Sequence, residues 1–115
     1  MEEKKVEYTP KPKTGEFWDV VIIGSGPAGL TSGTSRVHAS EPTLILGGEN
    51  WGGQLMLTTG VDNYPGFKKG IQGPELMGEM RKQAERLGAE FVEKRVVEVD
   101  FGKKHIRIAG YKELA

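Results

Sequence analysis

Apolar positions along this chain fall into runs of two periods, and the change of period marks its elements. Asp19-Val20-Val21-Ile22-Ile23 and Thr43-Leu44-Ile45-Leu46 are short, continuous apolar runs. That is the pattern of strands buried on both faces of a parallel sheet. Leu76, Met77, Met80, Ala84 and Leu87 recur at helical spacing, with Arg81, Lys82, Glu85 and Arg86 mostly on the other face. Pro74-Glu75 suits the first turn of that helix and Gly88 its end, which predicts a helix over Glu75–Leu87. Glu90–Val99 alternates well enough for one or two strands. His105-Ile106-Arg107-Ile108 is a further strand, and a turn over Asp100–Lys104 joins the two as a hairpin. His105 then reads as a half-exposed strand residue rather than a base.

Between the first two strands a parallel crossover requires a helix. Leu30–Ala39 supplies it, although Thr31, Ser32, Gly33, Thr34 and Ser35 are weak formers. Gly33 alone costs about 1 kcal/mol relative to Ala, and Ser and Thr compete for backbone hydrogen bonds. Residues 50–67 read as a long Gly-rich loop carrying the polar groups Gln54, Thr58, Thr59 and Asn63. Trp51, Leu55, Leu57 and Tyr64 are expected to tuck it against the core. Loops of this length are more often functional than idle. Met1–Glu16 has little to bury and reads as a flexible leader, with Phe17 and Trp18 closing one end of the core.

Composition narrows the classes of function. The 115 residues carry 16 Lys plus Arg against 16 Asp plus Glu, so no basic surface for nucleic acid is expected. There is no cysteine, which removes thiolate chemistry and sulfur metal ligands. The two histidines are too far apart in sequence to suggest a metal centre. No run is long enough to span a membrane, and the charged start lacks a signal-peptide core, so a cytoplasmic protein is expected. No set of residues converges on nucleophilic or acid–base catalysis, and no catalytic residue is assigned.

The chemistry lies in Gly24-Ser25-Gly26-Pro27-Ala28-Gly29, which follows the first strand at once. In a G-x-G-x-x-G turn the first Gly permits the tight bend and the second lets the backbone approach a pyrophosphate. The third lets the helix lie close on the strand. The unpaired N–H groups and dipole of the helix favour a negative charge there. An acid about 20 residues further on, at the end of the second strand, would hold a ribose hydroxyl. Here that end is Gly47-Gly48 and the nearest acid is Glu49, readable equally as a displaced ribose ligand or a solvated loop charge.

Together these stretches resemble the N-terminal FAD-binding segment of the low-molecular-weight thioredoxin reductases. The matching residues are GSGPAGLT (24–31), GGQLMLTT (52–59), VDNYPGF (61–67), GIQGPELM (70–77) and RKQAERLGAEFVE (81–93). The resemblance implies an α/β, Rossmann-like βαβ FAD-binding domain fragment, with a parallel sheet plus a β-hairpin or meander. Residues 1–16 are then the leader and 17–115 a partial FAD-binding domain. It implies that Ser25, Gly26, Pro27 and Ala28 hold the FAD diphosphate. Gly52, Gly53 and Gln54 would wrap the flavin side, Thr59 and Asn63 would lie near the isoalloxazine, and the Val96 backbone would meet the adenine. In that family NADPH reduces FAD, which passes electrons to a C-x-x-C disulfide and so to thioredoxin, within a homodimer.

Three departures from the pattern stand out. Gly47 replaces the ribose-binding acid, at a cost of about 1.5–3 kcal/mol for a lost charge-assisted bond. Ser32, Gly33, Thr34 and Ser35 replace a more apolar helix face, and Trp51 stands where Pro is usual. The nicotinamide domain, the redox cysteines and the C-terminal FAD segment are missing, so a complementing reductase segment is one expected partner. A non-catalytic remnant or partner module, and a piece of a ferredoxin–NADP reductase of similar architecture, are the other readings. NAD in the first turn fits less well, because Gly52–Asn63 suits a flavin ring.

Overall fold

A computed structural model describes residues 18–103 and 105–108. The leader, Phe17 and the side chain of His105 lie outside the described parts. Strand β1 (Val20–Ile23) leads into helix α1 (Pro27–His38), which returns the chain to strand β2 (Thr43–Leu46). A 3-10 turn (Gly53–Leu57) and the short strands β3 (Gly60–Val61) and β4 (Ile71–Gln72) follow. Helix α2 (Gly73–Arg86) then leads to β5 (Glu90–Val92), β6 (Val96–Asp100) and β7 (His105–Ile108).

The main sheet has the order β1-β2-β5 and is parallel throughout, with Ile22 opposite Ile45 and Ile45 opposite Phe91. Side chains of a strand alternate between the two faces, and β2 shows why its run is apolar at every position. Ile45 points to the helices, where it packs with Leu30, Leu76, Met77, Met80 and Ala84. Leu44 and Leu46 point the other way and pack with Ile108, Val96 and Ile106 of the β6–β7 hairpin, and with Trp18. All four residues of β2 are buried. The hairpin forms as expected, closed by a bond from the Lys103 N–H to Asp100 Oδ1 at 3.1 Å.

Helix α1 begins three residues earlier than expected. Pro27 occupies its first turn, where a missing N–H costs nothing, so the last part of the glycine turn is itself helical. The polar run in α1 is also not a defective packing face. Ser32 and Ser35 are exposed, and the residue turned to the sheet is Gly33. A Cβ there would stand 2.5 Å from Ile45 Cδ1, so glycine sets how closely α1 approaches β2.

The loop expectation was only partly right. Residues 53–57 form the 3-10 turn, and β3 pairs antiparallel with β4. Two-residue strands are too short to show alternation, which is why the pattern missed them. Trp51 and Leu55 pack against the core, but Leu57 is 82% exposed and Tyr64 turns outward beside Phe67. Arg81 ties this region to α2. Its guanidinium lies 3.8 Å from the Phe91 ring centre and 4.6 Å from that of Trp51, and it pairs with Glu85 and Glu93. Arg stacked on aromatic faces buries its stem and keeps its charge paired.

Candidate functional site: a glycine turn at the sheet end

The chain leaves β1 through Gly24, whose φ of +123° lies where L side chains are strained. The Gly24 N–H donates to the Leu46 carbonyl at 2.9 Å, continuing the β1–β2 ladder to its last rung. Gly29 stacks one helical turn above. A Cβ on Gly29 would collide with the Gly24 carbonyl oxygen and stand 2.9 Å from its carbon. Two of the three motif glycines are thus required by the fold itself.

Gly26 is different. It is the residue preceding α1, with φ −72° and ψ −174°, an extended conformation open to any residue. No described atom beyond its chain neighbours lies within 4 Å of where its Cβ would sit. Neither backbone geometry nor internal packing asks for glycine there. A Cβ there would stand in open space, on the residue that immediately precedes α1, whose first N–H groups have no intrahelical partners. No acidic residue sits in that first turn to oppose an anion.

Ser25 ties the site together. Its Oγ donates to the Gly47 carbonyl at 2.8 Å and accepts from the Gly52 N–H at 2.9 Å. One buried hydroxyl therefore joins the glycine turn, the end of β2 and the second glycine stretch. The Ser25 side chain is committed to the protein, so a ligand would meet this residue through its backbone. Gly52 and Gly53 both have positive φ, and Gly53 sits where a Cβ would be 3.3 Å from Gly26 Cα.

Beside this junction lies an open cleft of about 540 Å³, lined by Glu49, Trp51, Gly53, Gln54 and others of the same loop. Glu49 is exposed and meets Arg95 Nη1 at 3.4 Å. Of the residues singled out from sequence, Gly24–Gly29, Gly52 and Gly53 form the junction, while Glu49 and Gln54 line the cleft. Thr59, Asn63 and Val96 are not among its lining residues. The Thr59 carbonyl accepts from the Gly73 N–H at 3.0 Å, Asn63 is exposed in a turn, and Val96 is half-buried opposite Ile108.

Sequence reasoning overlooked Phe91 and Gly47 as a pair. A Cβ on Gly47 would run into the Phe91 ring, 2.6 Å from Cε1. The available signal was the glycine at a strand end that usually carries a side chain. Among the described residues no cluster of His, Asp and Glu is arranged to hold a metal. No described helix is long and apolar enough to cross a membrane.

Residues 18–113 match the family described as pyridine nucleotide-disulphide oxidoreductase. The chain belongs to that family. A thioredoxin reductase of Streptomyces clavuligerus is 53% identical over 83 residues, covering 71% of this chain and 26% of the relative. That of Rickettsia bellii is 44% identical over 90 residues, 78% of this chain and 29% of the relative. The crystal structure of Lactococcus lactis thioredoxin reductase superposes with a TM-score of 0.76 at 39% identity, covering 84% of this chain and 32% of that one. This family member therefore spans about a quarter to a third of the length of the relatives it matches.

Proposed function

We propose that this chain is the FAD-binding, N-terminal part of a flavoprotein oxidoreductase of the thioredoxin reductase type. The observation that carries the reading is Gly26, a glycine with no structural demand on it, placed where a diphosphate would approach a helix N-terminus. The N–H groups of the first turn of α1 would bind the diphosphate, with the helix dipole favouring its charge. Gly52, Gly53 and Gln54 would border the flavin side, with Gly52 tied to the glycine turn by the Ser25 bridge. When bound, FAD would supply a ring able to accept a hydride from NADPH and deliver two electrons to a disulfide.

This chain has no cysteine, so the disulfide and the transfer to thioredoxin would have to be supplied by another segment. NADPH binding and a homodimer would be properties of the full-length type, and a homodimer or a complementing reductase segment is the partner proposed for this chain. The similarity to thioredoxin reductases, together with the NYPGF loop, favours this type over a ferredoxin–NADP reductase.

Titration of the purified chain with FAD and with FMN, read by flavin fluorescence, tests the reading. FMN lacks the diphosphate link, so FAD should bind at least about tenfold more tightly. Equal affinities, or no binding of either, would contradict it.

A further inference from the structure

We propose that Trp51, pinned by Arg81 and Phe91, is the positioning residue that sets how the Gly52–Gly53 stretch lies against the glycine turn, and so shapes the flavin side of the nucleotide site. That role rests on the reading that this chain binds FAD. Gly52 and Gly53 follow one another at φ +97° and +70°. Neither has a side chain to hold it, and glycine has the most backbone freedom to lose on being fixed. Yet Gly53 lies close to the turn, where a Cβ on it would stand 3.3 Å from Gly26 Cα. The Ser25 hydroxyl supplies one hold, at the Gly52 N–H. A single hydrogen bond fixes a point but not the direction in which the chain passes it. Gln54, on the far side of the two glycines, is exposed, so the second hold falls to the residue before them, Trp51.

The Trp51 ring is anchored from two elements. Phe91 meets it edge-on, with ring centres 5.8 Å apart and planes at 79°. Phe91 belongs to β5 and lies opposite Ile45 in the main sheet. Arg81 of α2 lies over the same ring, with Cζ 4.6 Å from its centre and 3.8 Å from that of Phe91. The Arg81 side chain is only 18% exposed, and Glu85 at 3.3 Å and Glu93 at 3.4 Å hold its guanidinium. A planar guanidinium can stack on a ring while its N–H groups reach carboxylates, which a lysine ammonium cannot do. Sheet and helix therefore fix Trp51, and with it the chain one residue before the Ser25 hydrogen bond. With both holds in place the two glycines are ordered on folding, so that less ordering remains to oppose binding.

The test compares the whole chain as wild type, Arg81→Lys, Trp51→Leu and Trp51→Phe, each titrated calorimetrically with FAD and with ADP beside a thermal melt. ADP carries the diphosphate without the flavin. A looser Gly52–Gly53 stretch should weaken FAD about tenfold in Arg81→Lys and Trp51→Leu, with ADP changed by less than about threefold. Trp51→Phe keeps a ring under the guanidinium and should bind FAD nearly as wild type does. If Trp51 only packs the core, Arg81→Lys and Trp51→Leu will lower the melt yet bind FAD as wild type does, or lose FAD and ADP affinity by the same factor. Either result would overturn the role of Trp51 while leaving FAD binding in place. Failure of wild type to bind FAD would overturn both.

Discussion

Ser25 has a single hydroxyl and uses it as donor and acceptor at once, to Gly47 and to Gly52. Ser25→Ala leaves the Gly52 N–H and the Gly47 carbonyl short of a partner in a buried setting. An unpaired buried polar group costs about 1–3 kcal/mol, so urea unfolding should show a loss of that size. Gly29→Ala should cost about 3 kcal/mol by the same measurement, because the new methyl meets the Gly24 backbone, which has no rotamer to change. The purposes of Gly24 and Gly29 were legible from the motif, since spacing alone assigns one to the bend and the other to helix–strand contact. The role of Ser25 was not legible. The motif places Ser25 at a diphosphate but says nothing of its hydroxyl, whose partners lie 22 and 27 positions away.

At the scale of elements, α1 separates propensity from packing. Ser32 and Ser35 are exposed and add nothing to the core, so Ser32→Ala and Ser35→Ala should each stabilise by about 0.5 kcal/mol. Gly33→Ala gains about 1 kcal/mol of intrinsic helix propensity. It also drives a methyl against the fully buried Ile45 at a typical overpacking cost of about 1–3 kcal/mol. The packing term wins, and the variant should be about 1 kcal/mol less stable than wild type. A denaturation series of the three variants checks the order. The strands β1 and β2 and helix α2 could be read from apolar period, because each buries a face long enough to leave a pattern, whereas α1 followed only from the crossover that two parallel strands require. The β3–β4 pair and the outward turn of Leu57 and Tyr64 could not, since two-residue strands and isolated apolar side chains carry no period.

For the molecule as a whole, the three-stranded sheet is covered on one face by α1 and α2 and on the other by the β6–β7 hairpin. That arrangement holds the glycine turn, the end of β2 and the Gly52–Gly53 stretch at one end of the sheet. The place of the glycine turn between β1 and α1 was readable from the motif, but the contact of Gly47 with Phe91 depends on packing across the sheet. Family membership and Gly26 together carry the central claim, that this chain forms an FAD cradle. The most direct measurement is the visible absorbance of the desalted protein after incubation with excess FAD, for wild type and Gly26→Val. Wild type should retain flavin absorbance, whereas Gly26→Val should melt at a similar temperature yet emerge colourless, because valine fits the backbone but fills the approach to the helix. A colourless wild type, or a Gly26→Val variant as yellow as wild type, would contradict the account.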